Sequence, residues 1–475
     1  MMLELEKQSV LVLGLGVSGR SAARFCADRG ARVLAVDERE AGTIDGLDDL
    51  GPGVDLAIGR PFPDPADFDI VVPSPGVPRQ RYAERAKRVW GDVELAYRAL
   101  CGSGFALQGP VGTGVARPSQ EAPGGRTIVA VTGTNGKSTT AVLIEAMLRA
   151  AGFRACAAGN LGPPALSLVG KALDVAVLEV SSFQLESTET FRPRVAVVLN
   201  TTPDHLDRHG SFETYVAAKT RITENQEPGD TLVLNFDDPV VKRMAESTRA
   251  RVLPFRTSGP LDVGAWIDLG SWVLRTRSAE GTEEVVRIPF DGAALAGAHN
   301  LENIAASLTA IHALGADPER AAAALATFTG LRHRTEVVAV VGGVTFVDDS
   351  KATNPGAALR SLTSFEQPVV WIAGGRDKGL DFSVLAEAAS QRVRAAVVIG
   401  EAAGALKDTL SGRLAVRAAE SIEDAVRSAA GCAHVGDVVL LSPACASQDQ
   451  FRDYIERGEH FRAAVEQLAA EERAR

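Results

Sequence analysis

The sequence predicts an α/β fold of three successive units with mainly parallel sheets, and three observations carry that expectation. Short apolar runs of strand length, among them Val10 to Leu13, Thr127 to Val131, Val195 to Leu199 and Val438 to Leu441, each lead into a turn of Gly or polar residues. Two of these turns are glycine-patterned and open helical spacing: Gly14-Leu-Gly16-Val-Ser18-Gly19 and Gly133-Thr134-Asn135-Gly136-Lys137-Ser138-Thr139. Residues 101–126 hold seven Gly and three Pro without periodicity, which reads as a linker between units. The expected boundaries are 1–100, the 101–126 linker, 127–330 and 331–475.

With 475 residues the chain has room for about three domains of ~150 residues each. Apolar residues make up 45% and charged residues 23%, an ordinary globular balance, and an aromatic share of 5% suits α/β packing by Ala, Val and Leu. A net charge of −10 argues against a nucleic-acid or anionic-membrane surface, so an anionic ligand must be met by local Lys and Arg. Cys26, Cys101, Cys156, Cys432 and Cys445 are scattered without C-x-x-C spacing, which fits a reducing compartment and neither a disulfide framework nor a zinc site. No run of eighteen apolar residues occurs and the N-terminus lacks a leader pattern, so the expectation is a cytoplasmic protein without integral membrane contact.

In the first unit, Val10 to Leu13, helical spacing over Ser21 to Asp28 and a strand Arg32 to Val36 ending in Asp37 make a Rossmann-like βαβ unit. Two readings of its glycine turn stay open. One sets phosphate at the helix N-terminus with Asp37 at a ribose or base edge; the other needs glycine only for close packing. Asp69 to Val72 leads into Pro73-Ser74-Pro75-Gly76-Val77-Pro78, a loop that its prolines hold extended at a strand's carboxyl end, where open sheets bind ligands.

In the second unit, a strand, a glycine turn and a helix over Thr139 to Ala151 together form an anion site, because unpaired N–H groups and the positive end of the helix dipole converge. Lys137 adds a point charge for β- and γ-phosphates and the Ser138 hydroxyl is placed for Mg²⁺. The general phosphate loop would have glycine five residues before Gly136; Val131 stands there and Gly133 interrupts the loop instead. The alternative is a plain turn with a solvated Lys. The apolar run Val175 to Val180 contains one acid, Glu179, which is costly inside a strand without a charged partner or metal. Asn200 to His209 follows the next strand, and His205 is either a metal or phosphate contact or simply exposed. The helix opened by Ser211 carries Lys219 and Arg221, read by default as a solvated face. Residues 253–289 alternate like an antiparallel hairpin insertion, and Asn300, at the start of an Ala-rich helix, either reaches a nucleotide or caps the helix.

The third unit has Arg332, His333, Arg334 and Glu336 ahead of strands at Val337 to Val341 and Thr345 to Val347. The second of these ends in Asp348-Asp349-Ser350-Lys351-Ala352-Thr353-Asn354. Val369 to Ala373 leads into Gly374-Gly375-Arg376-Asp377-Lys378-Gly379, and Val438 to Leu441 into Ser442-Pro443-Ala444-Cys445-Ala446-Ser447-Gln448-Asp449. Three polar loops at strand ends predict one shared crevice.

Taken together, TGTNGKST (132–139), VLEVSSFQLE (177–186), GAHNLENI (297–304), HRTE (333–336), DDSKATN (348–354), GGRDKG (374–379) and LSPACASQDQF (441–451) resemble the Mur ligases over essentially the whole chain. The first loop is shared with folylpolyglutamate synthases; SSFQLE, DSKATN and SPACAS-DQF resemble the D-glutamate-adding branch. The resemblance implies an N-terminal Rossmann-like domain for UDP-N-acetylmuramoyl-L-alanine, a central P-loop-type ATPase domain for ATP and Mg²⁺, and a C-terminal Rossmann-like domain for D-glutamate. It further implies a monomer, acting in peptidoglycan precursor synthesis, that activates a carboxylate as an acyl phosphate. Amine attack then gives a tetrahedral intermediate, and ADP and phosphate are released.

Carried over by motif, Lys137, Glu179, His205 and Lys219 are the implied catalytic residues, with Ser138, Glu179, His205 and a carbamylated Lys219 at metal. Gly133 to Thr139, Asn300, Asn303, Arg334 and Asp349 fall to ATP; Gly16, Ser18, Asp37, Ser74, Gly76 and Asn160 to the UDP substrate; Lys351, Thr353, Lys378, Ser447 and Tyr454 to D-glutamate. Glu38, Gln448 and the long linker depart from the family pattern. Three other functions fit parts of the sequence. A folylpolyglutamate synthase has no need of Gly14 to Gly19, a nicotinamide-dependent dehydrogenase leaves Lys137-Ser138 unused, and a non-catalytic scaffold binds ATP without turnover.

Overall fold

A computed structural model describes residues 4–44, 46–101, 127–277, 281–290, 298–377, 379 and 381–473, and its strands form three sheets. β1 (Ser9–Leu13), β2 (Arg32–Asp37), β3 (Val54–Ile58) and β4 (Ile70–Pro73) pair in parallel in the order β3-β2-β1-β4. The second sheet comprises β5 (Thr127–Thr132), β6 (Ala155–Gly159), β7 (Val175–Glu179), β8 (Val195–Val198), β9 (Thr231–Asn235), β10 (Arg251–Arg256), β11 (Gly264–Asp268), β12 (Ser271–Arg277) and β13 (Glu283–Pro289). Its order is β13-β12-β11-β10-β9-β8-β5-β7-β6. The third holds β14 (Glu336–Val341), β15 (Val344–Asp348), β16 (Val369–Gly374), β17 (Val393–Ile399), β18 (Ala415–Ala418) and β19 (Val438–Leu441), ordered β14-β15-β19-β16-β17-β18.

By contacts the chain divides into two units, residues 1–294 with 300–328, and 295–299 with 329–475. The expected linker lies almost wholly outside the described residues, as do Gly297 and Lys378. Among the described residues no helix is long and apolar enough to cross a membrane.

Two helices begin earlier than their apolar spacing suggests, Val17–Ala27 and Lys137–Ala150, because Gly16 and Gly136 are themselves the N-caps and the turn is the helix start. The antiparallel insertion is also corrected. β10 continues the parallel array beside β9 and β11 pairs in parallel with β10, so only the β11–β12 and β12–β13 pairings are antiparallel, extending the same sheet. Alternation in the sequence marks half-exposed strands but does not say which strand they pair with.

In the first unit one core runs through both sheets. Val10 and Val12 of β1, Val93, Leu95 and Ala96 of the helix Asp92–Cys101, and Ile128, Leu178 and Val198 of the second sheet belong to it. That helix is pinned by Glu94, fully buried, whose carboxylate accepts from the backbone N–H of Glu189 (2.9 Å), Thr190 (3.0 Å) and Phe191 (3.0 Å) and from the Thr190 hydroxyl (2.6 Å). Arg98 donates its Nε to Glu94 at 2.6 Å and its Nη2 to Glu189 at 2.9 Å. Removing one member of a buried pair leaves the other charge uncompensated. Glu94→Ala should therefore destabilise the protein by about 3–5 kcal/mol, and Glu94→Gln by less, as urea titration will measure.

Candidate active site

The anion site rests on β5. Its loop returns at two left-handed glycines, Gly133 (φ 155°) and Gly136 (φ 84°), which are also spatially required. A Cβ on Gly136 would lie 2.5 Å from Asn303 Oδ1, and one on Gly133 3.0 Å from Leu199 Cβ. Asn200, at the end of β8, clamps the loop: its Oδ1 accepts from Asn135 N (2.9 Å) and its Nδ2 donates to Asn135 O (3.2 Å). Thr134 Oγ1 sits 2.9 Å from the Tyr215 hydroxyl, and Lys137 Nζ donates to Thr134 O at 2.8 Å. Asn303 Oδ1 accepts from Thr140 Oγ1 (3.1 Å) while its Nδ2 donates to Asn300 Oδ1 (3.1 Å), so both asparagines stand at this loop.

β7 is the neighbour of β5, and Glu179 at its carboxyl end is 2% exposed. Its carboxylate accepts from the Ser138 hydroxyl and, at 2.9 Å, from Asn160 Nδ2. Ser138, Glu179 and Asn160 are thus brought together. Lys219 overturns the solvated-face expectation. Its side chain is buried and Nζ donates to Gly133 O at 2.8 Å and lies 4.6 Å from the centroid of the Tyr215 ring. Burial, and then the nearby Lys137 charge, drive the amine well below its ordinary pKa, against weaker opposing effects of Asp204 and Glu179. Arg221 turns away to the carbonyls of Leu185 (2.8 Å) and Thr188 (2.6 Å). His205 is exposed, 3.7 Å from the Asp204 carboxylate, with its ring 4.9 Å from Phe183.

In the first sheet the order reverses between β1 and β4, and the loops after these two strands enclose a cavity of about 490 Å³. Gly16, Ser18, Asp37, Ser74 and Gly76 all line it, beside Phe62 and Arg81. Gly19 serves packing, since a Cβ there would meet Gly14 O at 1.9 Å. Asp37 is 4% exposed and tied to the loop: it accepts from Leu15 N (2.7 Å), Arg39 N (3.0 Å) and the Arg39 guanidinium (2.8 Å). Burial works against its charge, but the Arg39 side chain and those backbone N–H groups prevail and hold the carboxyl down at about 2. Glu38 pairs with Arg81 (2.5 Å), and Arg208, in the short helix Leu206–His209, donates to the carbonyls of Gly76 (3.1 Å) and Val77 (2.8 Å).

In the second unit β15, β19 and β16 are adjacent, so their three loops meet at one edge of the sheet. Arg457, 1% exposed, organises them. It donates to Ser350 O (2.8 Å), Ser350 Oγ (3.0 Å), Cys445 O (3.2 Å) and Ala446 O (3.3 Å), one loop being tied to the next. Nothing in the sequence marks it apart from other helical arginines. Lys351 Nζ lies 3.7 Å from the centroid of the Tyr454 ring, Thr353 N donates to Lys351 O (2.8 Å), and Ser447 is buried on the β19 loop. Asp349 accepts from Thr335 N (3.2 Å), Ser442 Oγ (3.1 Å) and Ser361 Oγ. Burial outweighs these bonds and the Arg334 charge, raising its pKa to about 7. His333 Nδ1 bonds Asp348 Oδ2 at 2.7 Å and Arg462 pairs with Glu336 at 2.7 Å, holding the HRTE turn against the same loop.

Known proteins agree with this architecture. Residues 8–88 match the family description "Mur ligase MurD-like, N-terminal domain", 131–311 "Mur ligase middle domain" and 333–445 "Mur ligase, glutamate ligase domain". The chain is 41% identical over 477 residues to the UDP-N-acetylmuramoylalanine--D-glutamate ligase of Pelotomaculum thermopropionicum, covering 98% of this chain and 99% of that one. It is 42% identical over 483 residues to the enzyme of the same name from Geobacter metallireducens, covering 99% and 100%. The chain belongs to the Mur ligase family. Among solved structures, the MurF ligase of Thermotoga maritima in complex with ADP shares the fold at a TM-score of 0.58 and 18% identity, covering 98% and 96%. A pseudomurein peptide ligase of type C from Methanothermus fervidus does so at 0.58 and 17%, covering 97% and 100%.

Because the Asp349 pKa in this Mur ligase is raised in the folded state, its contribution to stability is complete below about 4 and is lost as pH rises through about 7. Thermal melts between pH 4 and 8 should show this decline, and Asp349→Asn should flatten it.

Proposed function

We propose that the protein is the ATP-dependent ligase that joins D-glutamate to UDP-N-acetylmuramoyl-L-alanine. The observation that carries the reading is the meeting of Ser138, Glu179 and Asn160 at a glycine-cradled loop whose far side is closed by the buried Lys219 amine. The cradle accepts a polyphosphate on backbone N–H groups and Lys137. Its hydroxyl and carboxylate are hard oxygen donors and fit a divalent cation held by Ser138 and Glu179, with His205 and a carbamylated Lys219 as further ligands. Such an ion supplies positive charge to the transferring phosphoryl group.

The chain's own residues do the rest. Loop N–H groups and Lys137 orient the γ-phosphoryl toward the substrate carboxylate; the carboxylate oxygen attacks phosphorus and ADP departs. The acyl phosphate is then an acyl donor that a free carboxylate is not. The D-glutamate amine attacks its carbonyl, and the tetrahedral adduct expels phosphate and leaves the amide. The 490 Å³ cavity between the β1 and β4 loops holds the UDP moiety, and Lys351, Thr353, Lys378, Ser447 and Tyr454 hold D-glutamate. The existence of that cavity favours this reading over a folylpolyglutamate synthase, which leaves it without a purpose.

Phosphate release from ATP should require both UDP-N-acetylmuramoyl-L-alanine and D-glutamate; release with a folate and L-glutamate instead would overturn the proposal. Lys137→Ala should lower turnover at least about 100-fold, because it removes positive charge where phosphoryl charge develops.

A neutral amine attacks CO₂, and loss of one proton leaves a carbamate on Nζ. Burial and the Lys137 charge lower the basicity of Lys219, which favours the neutral, reactive form of that amine. Incubation with ¹³C-bicarbonate should give a carbamate carbon signal that is absent from Lys219→Ala. The same variant should lose about 100-fold in turnover and regain part of it with added acetate.

A further inference from the structure

The helix Asp92–Cys101 carries two buried acids, and they do different things. Glu94 meets backbone N–H groups and Arg98, and so anchors the helix. Asp92, 2% exposed, instead touches the first turn of the helix Val17–Ala27 and the short helix Ser182–Leu185 that follows β7. Its Oδ2 accepts from Ser18 Oγ at 2.8 Å and from Gln184 Nε2 at 3.0 Å, while Oδ1 accepts from Val93 N at 3.0 Å. Ser18 lines the 490 Å³ cavity. Gln184 belongs to the capping box that follows β7, its Oε1 accepting from Ser181 N (3.0 Å) and Ser181 Oγ (3.1 Å). Ser181 is two residues beyond Glu179.

We propose that Asp92 is a positioning residue that ties the Ser18 loop of the nucleotide-sugar cavity to the strand end carrying Glu179. The proposal rests on the function above. A carboxylate enclosed with hydroxyl, amide and backbone donors is expensive to desolvate, and an anchor for this helix already exists in Glu94. What Asp92 adds is a fixed separation between two loops that must hold the two ends of one substrate. Its geometry also fixes the direction of every hydrogen bond. Gln184 must present Nε2 to Asp92, because its Oε1 is taken by Ser181 N–H; turning the amide over would set NH₂ against N–H.

The bond directions supply the test. In Asp92→Asn the amide that keeps its oxygen toward Ser18 sets its NH₂ at the Oδ1 position, 3.3 Å from Gln184 Nε2 and against the Val93 N–H. In Gln184→Glu two carboxylates face each other. In the double variant D92N/Q184E the new amide at position 92 donates its NH₂ to the new carboxylate at position 184, and its carbonyl oxygen accepts from Ser18. The second oxygen of that carboxylate still serves Ser181, so the contacts linking positions 18, 92, 184 and 181 are restored with polarity reversed between 92 and 184, and Val93 N–H alone loses its acceptor. With the full-length enzyme, each single variant should raise KM for the nucleotide-sugar and lower kcat, each about 10-fold or more. KM for ATP should change less than about 3-fold, and the double variant should return to within about 5-fold of the parent in kcat/KM.

A double variant no better than the worse single, or single variants with parental kinetics, would overturn the coupling. So would losses that track only the melting temperature. Absence of any nucleotide-sugar turnover by the parent enzyme would instead refute the assigned reaction. The cycle would then be read with whatever acceptor the parent uses, and a failure of Asp92→Asn to raise that acceptor's KM would overturn the coupling as well.

Discussion

Parallel strands leave their carboxyl ends open, and a helix that starts there leaves backbone N–H groups without intrahelical partners. That constraint places every candidate site in this chain. The β1 and β4 loops meet where the first sheet reverses its order; β5, flanked by β7 and β8, brings the loops with Lys137, Glu179 and Asn200 to one place; β15, β19 and β16 do the same for the third sheet. Side chains differ from sheet to sheet, but the geometry that collects them is the same. The family relationship explains which chemistry uses these places, and the sheets explain why they exist.

Buried charge is handled in three ways. Glu94 is met by N–H groups and a guanidinium, a pairing that stabilises one helix against the second sheet. Arg457 has carbonyl and hydroxyl oxygens around it, so its charge is spread over several dipoles of loops that have no secondary structure of their own to fix them. Burial still lowers its pKa to about 10, which leaves the guanidinium fully charged at neutral pH. Asp92 takes neutral donors from two sides. A protein of net charge −10 thus keeps its cations at ligand loops by local geometry rather than by overall field.

Much of this is legible in residues alone, and the exceptions have physical reasons. Glycine turns, apolar strands and the lone acid in VAVLEV are local signals: a left-handed φ, a two-residue period and a desolvation cost each leave a mark in the sequence. The burial of Lys219 escapes such reading because helical spacing tells which residues share a face but not which face another loop will cover. The bonds of Asp37 to Leu15 and Arg39, which hold it at the rim of the cavity it lines, are not visible in the spacing that marks it as a ligand contact. Short strands such as β6, with sequence ACAAG, and β18, with AVRA, carry too little apolar contrast to be seen. Asn200, Asp92 and Arg457 act through partners 65, 74 and 107 positions away in the chain, respectively Asn135, Ser18 and Ser350, so no spacing rule reaches them.

Lys137 acts twice on the same chemistry. Its ammonium donates to Thr134 O in the glycine loop, where the proposed reaction needs positive charge, and the same charge adds to burial in lowering the basicity of Lys219. The two effects pull together: a more positive loop both attracts an anion better and favours the neutral form of the neighbouring amine. With the proposed carbamate on Lys219 the sign would reverse, the Lys137 charge stabilising the new anion instead of opposing an ammonium. The buried amine and the loop lysine are therefore electrostatically linked, and replacing Lys137 removes one of the charges that lower the basicity of Lys219.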